Sequence, residues 1–413
     1  MSGRPPPRKV CLNMRPPGLD IFPARLSLLL CVLMVPACRG PRCQMAAGDP
    51  AEASQVLRRA RRELAPDAHV VVFDVGVIRR GCQLVLTGEV DRAEAKIGLR
   101  RAFASAGWRV ADEIRLLPDL PPGTGAHAVC VVSVGSARER PAHGAEMGTQ
   151  ALMGETLQVL DRTTSRGPAA GWLRVRSADG YVSWIEEGSV RVLTDGELLA
   201  WTTNRQLMVT ALESSVVDSS RPGSTPVSDV VVGDRLRLVA EQGDWFQVAL
   251  PDGRSGFLPR DVAEELPTWL AGRRATSEAV EATARRFLGR PYLWGGCSSK
   301  GLDCSGFTQL VFRLNGVEVP RNAAEQAFAG REVLWRPRFE GMLPGDLLLF
   351  GRAAGDGAGK IVHVGIYLGE GRFIHSLGWV HISSLDPASA LADPARIKTL
   401  RQVRRVLPEK AGG

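Results

Sequence analysis

Hydrophobic positions change period several times along the chain, and each change marks a unit. Residues 53–64 carry apolar side chains at helical spacing, 69–78 and 82–90 alternate like strands, 92–106 return to helical spacing, and 108–117 alternate again. Residues 50–118 are therefore expected to form a small α+β unit, and the Pro- and Gly-rich stretch that follows marks a linker at 119–127. Two stretches of short alternating segments come next, at 128–196 and 204–266, broken by Asp179-Gly180 and Asp252-Gly253 turns. They form an imperfect repeat. Gly154-Glu155-Thr156-Leu157 returns as Gly233-Asp234-Arg235-Leu236, Trp172 as Trp245, and the offset falls from 79 to 73 residues, which puts a longer loop near 163–170 in the first copy. Two small β-barrels fit this pattern, with both tryptophans in their cores.

The last unit, 272–405, mixes both periods. After Cys304, Phe307, Leu310, Val311 and Leu314 fall on one face of a helix, with Asp303 as N-cap and Asn315-Gly316 as the stop. Residues 347–350, 361–368 and 372–376 read as strands. The fold class is α+β.

Candidate chemistry concentrates in this unit. A cysteine in the first turn of a helix meets unpaired N–H groups and the positive end of the helix dipole, which favour a thiolate, whereas the adjacent Asp303 opposes it. An imidazolium partner would settle the balance as an ion pair. His363 and His375 lie on the two strands joined by Gly369-Glu370-Gly371. A three-residue loop there sets Leu368 opposite Arg372 and His375 opposite Gly365, leaving the histidines as diagonal neighbours on one face, about 7 to 8 Å apart at the backbone. A two- or four-residue loop would send them to opposite faces. His363 is then the base and His375 its orienting partner, with His381 next in line for either role. The isolated Cys82, Cys130 and Cys297 are read as inert, and His69, His127 and His143, which have no partner pattern, as structural. Asp346 is a turn residue. The glycine-rich 354–360 has no hydroxyl residue after its lysine and leads into a strand, so it is a surface turn and no phosphate loop.

Tyr292-Leu293-Trp294-Gly295-Gly296, Asp303-Cys304-Ser305-Gly306, Leu343-Pro344-Gly345-Asp346, His363-Val364-Gly365 and Phe373-Ile374-His375, taken together, resemble the NlpC-type cell-wall peptidases, a papain-like family. The resemblance implies a Cys304-His363-His375 triad, with the Tyr292 hydroxyl near the sulfur and the oxyanion. The repeated β-units are similar to bacterial SH3-like domains, and residues 50–118 loosely resemble BON-type envelope domains. Two SH3-like domains ahead of such a peptidase resemble the γ-D-glutamyl-L-diamino acid endopeptidases. That likeness implies cleavage of peptidoglycan stem peptides or muropeptides with a free N-terminal L-Ala, held by Asp303 and Ser305, with Tyr181 and Glu146 completing the pocket. A cell-wall amidase or acyltransferase on the same fold, and a binding module without turnover, remain the alternatives.

Arg15 and Arg25 precede an apolar run at 26–35, too short to span a bilayer and suited to a signal peptide over 1–37. Val35-Pro36-Ala37-Cys38 is similar to a lipoprotein cleavage box, which would make Cys38 the lipidated first residue, or the segment is a plain secretory signal. Met14 is an alternative start. This reading puts the protein in the cell envelope, extracytoplasmic, touching a membrane only through a lipid anchor. The formal charge of +8 over 413 residues becomes +4 once 1–37 are removed, which gives no support for a nucleic-acid partner. The remaining cysteines have neither disulfide-framework nor zinc spacing, and no cofactor or metal is expected.

Overall fold

The sequence repeat reappears as a repeat of topology. In the computed structural model, which describes residues 50–81, 83–121, 123–163, 171–352 and 359–408, each copy forms a seven-stranded antiparallel sheet. The strand order is the same in both. In the first, strand Thr156–Arg162 pairs with Trp172–Arg176 around a bulge at Leu160; in the second, Arg235–Gln242 pairs with Trp245–Ala249 around a bulge at Val239. The bulges keep the 79-residue offset of the preceding motif. Trp172 is buried as expected, but Trp245 is only partly covered. The proposed leader with Cys38, along with Cys82, most of the loop near 163–170 and most of the glycine-rich turn at 354–360, lies outside the described residues.

Ahead of these sheets, helices Pro50–Leu64 and Ala93–Ser105 cover a three-stranded sheet, burying Leu86, Leu99, Phe103 and Ile114. Its two longer strands, Phe73–Arg80 and Gln83–Val90, are antiparallel, and Val110–Leu116 joins parallel to the second after the helix crosses over. The last unit is a six-stranded antiparallel sheet with helix Cys304–Leu314 packed on strands Ile361–Gly369 and Arg372–Leu377. Phe307, Leu310 and Val311 meet Val364, Ile366 and Ile374 in one core.

That helix begins and ends where its sequence says it should. Asp303 Oδ1 accepts the Gly306 N–H at 2.6 Å, and Gly316 follows the Asn315 C-cap with φ of 84°. Its polar face is not solvated, however. Every side chain from Cys304 to Phe312 is buried, because the neighbouring units cover what one sheet cannot. Gln309 donates to Asp179 of the first seven-stranded sheet at 2.9 Å, and Thr308 donates to Gln326 at 2.8 Å.

The first sheet is fastened to the last unit at the start of this helix. The Cys297 N–H donates to Gln150 Oε1 at 2.9 Å, and Arg321 Nε donates to Thr149 Oγ1 at 3.1 Å. Gly295 has φ of 75° and lies against the Met147 carbonyl so closely that any Cβ would overlap the oxygen. Lys300 bridges to Asp229 of the second sheet and, at 2.8 Å, to Ser133 of the first. Arg174 with Glu89 and Arg176 with Asp91 join the first sheet to the N-terminal unit.

At the centre is a buried fork. Arg321 Nη2 donates to Asp303 Oδ2 at 2.7 Å and Nη1 to Oδ1 at 3.1 Å, while Asp303 also takes the N–H groups of Gly295 and Gly306 and the Ser305 hydroxyl. Replacing Arg321 with Leu strands a buried carboxylate, and urea denaturation should show a loss of about 3–5 kcal/mol. Gly295→Ala forces a strained φ and an overlap with Met147, with an expected loss of about 1–3 kcal/mol in the same measurement. An unchanged midpoint in either variant would remove these contacts from the account of what holds the site together.

Candidate active site

Cys304 lies in the first turn of its helix and is 9% exposed. Its sulfur faces the backbone N–H groups of Val364 and Ser305, both of which favour the thiolate. Burial outweighs them and, with the charge of Asp303, pushes the thiol up to about 11. The helix-start effect is present but overridden.

Val364, whose N–H acts on the sulfur, follows His363 in the strand packed against the Cys304 helix. His363 Nε2 and His375 Nδ1 are 2.8 Å apart, and His375 Nε2 lies 3.1 Å from the Ser383 hydroxyl. With Nε2 committed to its partner, Nδ1 is the His363 nitrogen left for a thiol. Among the described residues no hydrogen bond yet joins His363 to Cys304. Burial, with the positive charges of Arg396 and His381 behind it, lowers His363 to about 3. Burial and His363 itself lower His375 to about 2. Burial thus favours a neutral thiol and neutral imidazoles in the substrate-free site, against the ion pair anticipated from the helix start. His381 pairs across the sheet with His375, their ring centroids 4.4 Å apart.

The histidines share a face by a route different from the anticipated one. The hairpin turn is two residues, Glu370 and Gly371, with φ of 53° and 74°, and Gly369 pairs with Arg372. Such a turn alone would put His363 and His375 on opposite faces. Leu368 is the extra residue of a bulge, which shifts the register back so that Ile366 faces Ile374 and Tyr367 faces Phe373. His375 then falls opposite Gly365, where a Cβ would meet the His375 Cβ, the Ile374 carbonyl and the Phe373 ring, each at 3.1 Å. Ser376 ties this strand to the nucleophile loop by donating to the Leu302 carbonyl at 2.7 Å.

Tyr292 is partly buried beside this row. Burial first, then the charges of Cys304 and Asp303, raise its phenol, so the hydroxyl stays protonated and able to donate. Asp303 and Ser305 sit in the wall next to the nucleophile, but both Asp303 oxygens are taken by the five donors described above, and Ser305 Oγ also accepts from Arg321 at 3.1 Å. Neither oxygen of Asp303 remains free for a peptide amine. Tyr181 is buried, and its hydroxyl donates to Glu139 Oε1 at 2.8 Å. Glu146 was the expected acid, yet its side chain is exposed, and its carbonyl accepts the Glu139 N–H at 3.0 Å. Glu139 and Glu146 face each other across one hairpin, and register points the Glu139 side chain at the Tyr181 hydroxyl. Glu139, in a plain Arg-Glu-Arg run, gave no signal in the sequence, and Arg321, which after Val319-Pro320 could line the cleft or open a solvated helix, is instead buried in its fork with Asp303.

Comparison with known proteins agrees with this geometry. The sequence pattern of the NlpC/P60 family matches residues 289–398, and that of a bacterial dipeptidyl-peptidase SH3 domain matches 137–190. A γ-D-glutamyl-L-lysine dipeptidyl-peptidase of Bacillus cereus is 28% identical over 277 residues, 64% of this chain and 76% of that one. The enzyme of the same name from Bacillus subtilis is 31% identical over 236 residues, 55% of this chain and 71% of that one. The crystal structure of an NlpC/P60 family protein from Bacillus cereus superposes with a TM-score of 0.57 at 24% identity, covering 68% of this chain and 100% of that one, and so shares the fold. A relative matched at this identity over more than two thirds of its length leaves no doubt about kinship: the chain belongs to the NlpC/P60 family of cysteine peptidases.

Proposed function

We propose that this peptidase hydrolyses the γ-D-glutamyl-L-diamino acid bond of peptidoglycan stem peptides carrying a free N-terminal L-Ala. The observation that carries the chemistry is the 2.8 Å contact between His363 Nε2 and His375 Nδ1, with His363 next in its strand to Val364, whose N–H favours the Cys304 thiolate. In this reading the bound peptide brings its carbonyl to the sulfur, and His363 Nδ1 takes the thiol proton as the C–S bond forms. The Cys304 N–H and the Tyr292 hydroxyl hold the oxyanion. The carbonyl is restored as the C–N bond breaks, with His363 returning the proton to the departing amine. A water molecule, deprotonated by His363, then cleaves the thioester. His375 keeps the ring of His363 in place and is itself held by Ser383.

The substrate assignment draws on the names of the two Bacillus relatives and on the Tyr181–Glu139 pair, a carboxylate held by a phenol and suited to an ammonium group. Asp303 and Ser305 shape the wall of that subsite, with Asp303 acting through its hold on the loop. The proposal includes the wider organisation: a signal segment at 1–37 with Cys38 lipidated or simply secreted, a BON-like unit at 50–118, a linker at 119–127, SH3-like domains at 128–196 and 204–266, and the peptidase at 272–405, working outside the cytoplasm on wall-derived peptides.

Incubation with L-Ala-γ-D-Glu-L-Lys and its diaminopimelate counterpart should release L-Ala-D-Glu. Loss of a terminal D-Ala, or a cut between glycan and peptide, would point to a different hydrolase. Cys304→Ala should reduce turnover to background and His363→Ala should lower kcat by roughly 10² to 10⁴; full activity in either would end the assignment. Protonation can be tested separately on the free enzyme. Because the thiol is pushed up to about 11, its alkylation by iodoacetamide should accelerate about tenfold per pH unit between roughly pH 7 and 9. A rate that is flat across that range would reveal a preformed ion pair.

A further inference from the structure

His69 belongs to the N-terminal unit and lies outside both matched segments, 137–190 and 289–398. It nevertheless grips the turn that carries Tyr181. Its ring stacks on the Tyr181 ring with centroids 5.3 Å apart and planes within 18°, and its Nδ1 is 4.0 Å from the same Glu139 oxygen that accepts the Tyr181 hydroxyl. The His69 carbonyl accepts the Val182 N–H at 2.7 Å. The His69 N–H is itself held by Asp67 Oδ1 at 2.8 Å. Ring and backbone thus fasten to consecutive residues, Tyr181 and Val182, from the far side of the turn. Tyr181 also borders a cavity of about 670 Å³ that His69, Asp67 and Glu325 help to line.

We propose that His69 is a positioning residue for the amine subsite, and that the N-terminal unit is thereby a specificity element of the peptidase. By stacking on Tyr181 it keeps the hydroxyl on Glu139 Oε1, so the carboxylate meets a substrate ammonium already oriented. This inference rests on the reading of Tyr181 and Glu139 as the amine subsite, and it adds a third side chain that comes from a unit remote in sequence from the catalytic row.

Steady-state kinetics on the full chain with L-Ala-γ-D-Glu-L-Lys test it. His69→Ala removes the stack and should raise KM roughly three- to tenfold, the range of an aromatic pair, with kcat held within about twofold. His69→Phe keeps a ring in place and should restore KM to within about twofold of the parent value. Should the Ala variant fail to fold, as judged by its thermal transition, His69→Leu replaces it and supplies volume without a ring. Tyr181→Phe is measured alongside. If KM rises in Tyr181→Phe while the His69 variants match the parent, the role of His69 is refuted and the amine subsite stands. If Tyr181→Phe leaves KM unchanged, the subsite and the inference fall together. A loss of kcat that is equal in Ala and Phe variants would mark His69 as a structural residue and overturn the proposal.

Discussion

The site depends on a carboxylate that can be buried only because a guanidinium is buried with it. Asp303 immediately precedes the nucleophile, caps its helix through Gly306, and holds the glycine loop through the Gly295 N–H. These donors converge on one buried carboxylate, and an unpaired charge inside the protein would be prohibitive. Arg321 supplies the counter-charge from a segment after the helix and reaches on to Thr149 of the first seven-stranded sheet. One ion pair therefore sets the helix start, the loop and the neighbouring sheet in a single geometry. Its anion raises the Cys304 thiol, and the sulfur's own surroundings oppose it only in part.

This cost gives the thiol its resting form. A sulfur beside a carboxylate and out of solvent remains protonated, and histidines buried against Phe350 and Phe373 remain neutral. In the proposed mechanism, proton transfer from the thiol becomes favourable once a carbonyl and its oxyanion donors are in place, which would couple activation of the nucleophile to occupancy of the cleft.

The covering units contribute chemistry as well as bulk. A helix buried on all sides from Cys304 to Phe312 needs partners for its polar residues, and the first sheet provides one in Asp179. The same turn carries Tyr181. In the second sheet the equivalent turn carries Arg254, which reaches instead for the carbonyls of Val227 and Val131 and serves the packing of the two sheets. One topology, used twice, thus supplies a partner for the nucleophile helix in one copy and a brace between the sheets in the other.

Local rules were enough to find the nucleophile helix, its cap and stop, the two histidine strands, and the repeat, because capping, periodicity and turn chemistry act over a few residues. The hairpin shows the limit of such rules. Its glycines announced a tight turn, but whether the loop held three residues, or two with a bulge at Leu368, depended on the core that Ile366 and Ile374 had to enter. The bond of Tyr181 to Glu139, the fork between Asp303 and Arg321, and the stacking of His69 on Tyr181 were likewise invisible in sequence. Each joins side chains from separate strands or units, through burial and charge pairing that no window of neighbouring residues contains. The chain by itself determined which groups could react and where its elements begin and end. Tertiary packing decided which of those groups meet, and in which protonation state, because desolvation and long-range contacts exist only once the units have closed on one another.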